Sequence, residues 1–285
     1  MFNFSKLNKE KFFSNKVRFK SLIQRTFAMC FLFKSQYPHR LVFIAGLPKS
    51  GTTWLENLVG AIPGYQRLVC YDLNNELFSH KLNPSVIEVL PLRGNFFTKT
   101  HVEASIEGVA ALKEHKIRTV IMVRDLRDQC VSRFHHVLNE PSHRHHEFYK
   151  NGLREEAFSH CVSIALDEYL LWIDDWLEVA QNDDKFLIVR YEDLYSQTKN
   201  EFNKVLSHFG IVLGNDKVEV ILRNIAVKSN RGGSFKQRLA TNKNTFRKGG
   251  TGGWRNYFSN NNIEEFKLRA NDQLIKLGYE SDTDW

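Results

Sequence analysis

Cysteine is scarce in this chain of 285 residues: Cys30, Cys70, Cys130 and Cys161 stand far apart, and no two of them form a CxxC pair. That spacing suggests neither a zinc ribbon nor a dense disulfide framework and fits a reducing compartment, so a cytoplasmic protein is expected. Long apolar runs are missing as well. The most apolar early stretch, Phe27 to Phe33, is about a third of the ~20 residues a membrane-spanning helix needs. Lys34 and His39 follow it rather than a small-residue cleavage site, which argues against a cleavable secretory signal. No internal repeat, low-complexity tract or Pro/Gly/Ser linker divides the chain. No residue set has convincing metal-ligand spacing, so no metal is expected. The reading is one domain over residues 37–285, preceded by an extension over residues 1–36.

What is present is ordinary for a globular protein: 42% hydrophobic and 25% charged residues, enough for a sizeable core. The net charge of +8 favours anionic partners without separating nucleic acid, membrane surface and phosphorylated small molecules. The extension is basic and carries Phe2, Phe4, Phe12, Phe13 and Phe19. Transit peptides, membrane-surface helices and packed N-terminal helices share that composition; a helix packed on the domain is preferred, with membrane-surface contact open. Strand-like runs occur at 41–45, 96–98, 119–123 and 186–189, separated by longer segments of helical period. This alternation predicts an α/β fold with a central parallel sheet flanked by helices on both faces. Residues 155–180 read as one long helix, because Phe158, Cys161, Ile164, Ala165, Leu171 and Trp172 recur at steps of three and four. Two stretches look irregular, 141–146 and 229–254; the glycine-rich second one reads as a mobile cover.

The first strand runs into Gly46-Leu-Pro-Lys-Ser-Gly-Thr-Thr-Trp54 and then a helical segment. A turn of this kind offers successive backbone N–H groups, with those of the helix start, to a phosphate. Thr52 and Thr53 add hydroxyl donors, Gly51 permits close approach, and Ser50 is counted with the binding loop. The spacing of Gly46 and Gly51 matches an ATP-binding P-loop, but Thr52 stands where that loop has its lysine, and Lys49 lies inside the turn instead. This argues against kinase or NTPase chemistry.

The string Leu47-Pro-Lys-Ser-Gly-Thr-Thr-Trp54 resembles the 5′-phosphosulfate-binding loop of the cytosolic-type sulfotransferases, which use 3′-phosphoadenosine 5′-phosphosulfate (PAPS). The resemblance extends over about residues 40–279. It implies the P-loop-like fold and a 3′-phosphate site, for which Arg124 and Ser132 in Arg124-Asp-Leu-Arg-Asp-Gln-Cys-Val-Ser132 match the family's pair. The bland reading of the Arg-Asp sequence there is a helix-start salt bridge. Arg247, Lys248 and Gly249 in Phe246-Arg-Lys-Gly-Gly-Thr-Gly-Gly-Trp254 match the motif that wraps the same phosphate. Thr98-Lys-Thr-His101 matches the place of the catalytic base, which carries over to His101, with Lys99 contacting the transferring group and Lys49 beside the 5′ phosphate, near the bridging oxygen. Trp54, Tyr191, Ser234 and Phe235 are the adenine-side candidates. The family's short dimerisation motif lacks its Thr-Val here, so the oligomeric state stays open.

The expected reaction is sulfuryl transfer from PAPS to a hydroxyl or amine of a small-molecule acceptor, leaving 3′,5′-adenosine bisphosphate. No nucleic-acid partner is expected. His143, His145 and His146 are read as acceptor-pocket rim rather than as a metal site. Two alternatives remain: a P-loop nucleotide kinase or NTPase, and a non-enzymatic anion-binding module.

Overall fold

The computed structural model describes residues 36–68, 94–230 and 250–285, so the extension over 1–35 lies outside the described residues. Every residue of β1 (Leu41–Gly46) is buried. Successive side chains of a strand point to opposite faces. Leu41, Phe43 and Ala45 accordingly join one apolar cluster, while Val42 and Ile44 join a second. A strand with two apolar faces needs helices on both, which is why β1 reads as a continuous apolar run.

Five strands form one sheet in the order β2–β3–β1–β4–β5, every neighbouring pair parallel. They are β1, β2 (Tyr65–Arg67), β3 (Asn95–Thr100), β4 (Arg118–Val123) and β5 (Phe186–Arg190). Helices α1 (Thr52–Gly60), α2 (Ile106–Glu114) and α3 (Leu126–Leu138) alternate with them. Then come α4 (His146–Asn151), α5 (Arg154–Asn182), α6 (Tyr191–Ser196), α7 (Thr198–His208), α8 (Asn215–Asn230) and α9 (Asn260–Lys276). Buried residues of α2, α3, α5 and α9 cover the Phe43 face; those of α1, α7 and α8 cover the Ile44 face. The expected α/β class is the one found.

The chain leaves β1 toward β2 and β3 on one side, then crosses to β4 on the other. Connections that diverge from a central strand open a crevice at the strands' carboxyl ends. Gly46, Thr100 and Val123 end the three central strands at that edge.

Details depart from the sequence reading. β3 extends beyond the expected Phe96–Thr98, and the short edge strand β2 was not foreseen. The wholly buried Asn95 explains the longer β3: its side-chain oxygen accepts from the Gln36 and Tyr37 N–H groups, and its amide donates to the Tyr37 and His39 carbonyls. This polar clamp sews the chain's entry onto the sheet, and no apolar pattern signals it. The long helix forms as expected, but Leu171 is 70% exposed while Trp172 and Trp176 are buried. Both indole N–H groups donate to the Val102 carbonyl, at 2.7 and 3.1 Å. The described end of the glycine-rich stretch is anchored, correcting the mobile cover there: Asp128 on α3 accepts from the Gly252 and Trp254 N–H groups at 2.6 and 2.8 Å. Among the described residues, no helix is long and apolar enough to cross a membrane.

Candidate active site

The turn between β1 and α1 has positive φ at Lys49 (72°) and Gly51 (94°). Left-handed residues set close together in a turn aim successive N–H groups toward one side, the geometry that holds an anion. A side chain at Gly51 has no room: a Cβ there would stand 2.6 Å from Tyr191 Cδ2 and 3.1 Å from Met122 Cε. The turn is braced from inside. The buried Ser50 hydroxyl donates to the Leu47 carbonyl at 2.8 Å, and Gln129 of α3 donates to the Pro48 carbonyl at 2.7 Å. Ser50 therefore spends its hydroxyl on the loop, while Thr53 and Trp54 are half-buried at the start of α1. We expect Gly51→Ala to lower stability by about 1–3 kcal/mol, through backbone strain and the clash with Tyr191. A urea midpoint equal to that of the wild type would show that the loop yields there.

His101 follows β3, and its Nδ1 lies against the Gly46 carbonyl oxygen at the end of β1. A carbonyl only accepts, so Nδ1 carries the proton and Nε2 keeps a lone pair. Burial and the Lys99 ammonium, with a smaller push from Lys49, lower the His101 pKa to about 4. The ring is therefore neutral at pH 7 and able to take a proton. The doubled indole bond to Val102 fixes the backbone one residue beyond it.

Burial, followed by the charge of Arg124, lowers the Lys49 pKa to about 8. Arg124, just past β4, donates to the Lys49 carbonyl at 3.3 Å and to the Gly250 carbonyl at 3.1 Å. Its guanidinium lies over the Tyr191 ring, 4.4 Å from the centroid, while its Nε is buried without a hydrogen-bond partner among the described residues. Two cations held together in a buried setting repel each other, and an anion joining them would offset that cost. Tyr191 is 6% exposed, beneath Gly51, and meets the more open Trp54 edge-on at 5.9 Å. Tyr195 extends this aromatic wall by stacking on Tyr191.

The structure thus brings Lys49, Gly51, Trp54, His101, Arg124 and Tyr191 to the carboxyl edge of the sheet. Lys99 is on β3 opposite Ile44, and Ser132 sits two helical turns beyond Arg124, half-buried on α3. Ser234, Phe235, Arg247, Lys248 and Gly249 lie outside the described residues. The helix-start salt bridge exists, but it joins Asp125, the cap of α3, to Arg127 at 2.8 Å and leaves Arg124 to the site. His146 is buried, with Nδ1 donating to the Val137 carbonyl at 3.0 Å, so it is a packing residue rather than rim. His145 stacks on Tyr149 and meets His160 edge-on. Among the described residues, no group of His, Cys, Asp or Glu is arranged to hold a metal ion.

Several residues were missed. Gln129 and His136 share the Ser132 face of α3, and His136 keeps a buried Nδ1 without a partner among the described residues. Extending the helical period from Ser132 by three and four would have found both. Glu56 and Asp128 gave no signal, because an acidic residue in a helix ordinarily reads as solvated.

Comparison with known proteins identifies the family. The family described as "Sulfotransferase domain" matches residues 39–278. A flavonol sulfotransferase-like protein of Flaveria bidentis is 24% identical over 265 residues, covering 83% of this chain and 82% of its own. A mouse sulfotransferase solved with PAP superposes with a TM-score of 0.66 at 19% identity, over 85% of this chain and 86% of that one. A retinol dehydratase solved with androsterone and PAP gives 0.58 at 19% identity, over 87% and 83%. At those identities the two structures speak for the fold, and the family match over most of the chain speaks for the chemistry: this protein belongs to the sulfotransferase-domain family and is a sulfotransferase.

Proposed function

We propose that the enzyme transfers the sulfuryl group of PAPS to a hydroxyl or amine of a small-molecule acceptor, with His101 as general base. The observation that carries this is a neutral imidazole, Nδ1 bound to the end of β1, standing beside a cation-lined anion cradle. The donor's chemistry is an activated sulfuryl group on a phosphate leaving group. The fit rests on the left-handed turn at Lys49 and Gly51 and on the neighbouring charges of Lys49 and Arg124, which an anion would offset.

In this reading the N–H groups of residues 50–53 and the Lys49 ammonium hold the 5′ phosphate, and Lys99 contacts the transferring group. Arg124 and Ser132, joined by Arg247, Lys248 and Gly249, hold the 3′ phosphate. Trp54 faces the adenine, backed by Tyr191, with Ser234 and Phe235 completing the slot. His101 takes the acceptor proton at Nε2 as attack proceeds, and the cations steady charge growing on the leaving phosphate. An anion bound beside Lys49 and Lys99 raises the basicity of His101 by offsetting the two charges that depress it. The retinol dehydratase solved with androsterone supports an acceptor of small-molecule size.

The test is a thermal-shift titration with 3′,5′-adenosine bisphosphate and, separately, ATP with magnesium. A ligand that binds only the folded state adds about 2–3 kcal/mol at a hundredfold excess over Kd. Stabilisation by the bisphosphate and not by ATP with magnesium is expected; the reverse result would overturn the donor assignment.

A further inference from the structure

Glu56 is the feature of the site that the reaction does not explain. It lies on α1 between Leu55 and Leu58, and it is only 7% exposed. A carboxylate taken out of water needs cations, and this one has two from different strands. Its Oε1 is 2.5 Å from Arg67 Nε on β2, and its Oε2 is 3.8 Å from Lys99 Nζ on β3. Each oxygen faces one cation.

The two distances differ in range. Arg67 stands 2.5 Å from Oε1 as a close ion pair, although Oε1 accepts no hydrogen bond among the described residues, and Lys99 at 3.8 Å is beyond hydrogen-bond reach. Glu56 therefore attracts Lys99 through space without occupying its N–H groups, which stay available for an anion arriving from the crevice. We propose that Glu56 is a positioning residue for Lys99, holding it charged and aimed at the transferring group, and that Arg67 limits how strongly it does so. This rests on the assignment of Lys99 to that group.

Among the described residues, the charges acting on Lys99 are Glu56 from α1 and Arg67 from β2, and the titratable His101 ring at the end of its own strand feels Lys99 and Lys49. Burial lowers the Lys99 pKa, Glu56 opposes the fall, and Arg67 adds to it. The opposite signs provide a test that a purely structural role could not mimic.

In protein labelled with 13C-lysine, the Lys99 resonance is assigned by its absence in Lys99→Arg, and its titration is followed by NMR. Glu56→Gln is expected to move the Lys99 midpoint to lower pH than in the wild type, and Arg67→Gln to higher pH. Because Arg67 is 42% exposed, its variant is expected to fold even where loss of the buried Glu56 charge prevents folding, and its displacement then decides alone. No displacement in Arg67→Gln, or displacements of the same sign in both variants, overturns the proposal. The titration needs neither donor nor acceptor, so its failure is separate from any failure of the sulfotransferase site reading. With PAPS and 1-naphthol, Glu56→Gln should lose on the order of tenfold in kcat with donor KM little changed, and Glu56→Asp should recover part of it. Full activity in Glu56→Gln would overturn the functional half of the proposal.

Discussion

His101→Ala is expected to lower sulfuryl transfer by about 10²–10⁴-fold while leaving the affinity for 3′,5′-adenosine bisphosphate near that of the wild type. Among the described residues the imidazole's hydrogen bond goes to the Gly46 carbonyl, so its removal is expected to take away the base without dismantling the turn after β1. Single-turnover rates beside calorimetric binding separate the two effects. Turnover within threefold of the wild type would remove His101 from the role of base.

The pH dependence carries a second signature. With a pKa of about 4, free His101 is in its basic form through the neutral range, so kcat/KM should hold as pH falls from 7 and drop only near 4. Once donor anions offset Lys49 and Lys99, the limb seen in kcat should lie higher. Stability moves in a wider window. The unfolded chain protonates histidine near 6.5, while folded His101 and His208, the latter lowered to about 4 by burial, refuse the proton. Between those values the unfolded state binds more protons, so stability present above pH 6.5 is lost as pH falls toward 4.

Arg127→Ala should cost about 3–5 kcal/mol of folding stability, the range for breaking a buried pair by removing one partner. The Arg127 side chain is 2% exposed and joins three parts of the chain. Its Nε and Nη2 donate to both oxygens of Asp125, at 2.9 and 2.8 Å, and Nη1 reaches Glu280. The guanidinium lies in the corner formed by two indoles that meet edge-on, 4.3 Å from the Trp254 ring centroid and 4.4 Å from that of Trp285. Arg127→Lys should recover only part of the loss, because an ammonium has no planar fork for Asp125 and no flat face for the rings. Urea unfolding of the three proteins checks this, and a loss below 1 kcal/mol in the alanine variant would mean that Asp125 and Glu280 find water. Asp125 caps α3 next to Arg124, so bisphosphate affinity should fall as well.

Much of this protein was legible before its structure. The apolar runs of β1 and β4 announced a sheet buried on both faces, and the glycine spacing after β1 announced a tight turn into a helix. Lys49 in place of a lysine at Thr52 separated that turn from nucleotide triphosphate chemistry. These features are local: a run of four to six residues, or one turn, carries its own periodicity and backbone requirement. Less visible were β2, too short for a pattern, and Asn95, whose polar clamp works across nearly sixty residues. Leu171 was counted in the helical period and still faces solvent, because it lies beside the buried stripe of Phe158, Ala165, Tyr169, Trp172 and Trp176, on the outer face of the helix.

The sequence by itself determined which groups were available: a phosphate turn, a histidine after a strand, an arginine ahead of a helix. Only the tertiary structure decided what each does next to the others. What Arg124 donates to and which tautomer His101 holds depend on partners distant in the chain. Those partners meet because parallel strands bring the ends of β1, β3 and β4 to one edge. Burial there strengthens charge interactions that would be weak in water, and no property of a single segment encodes that environment.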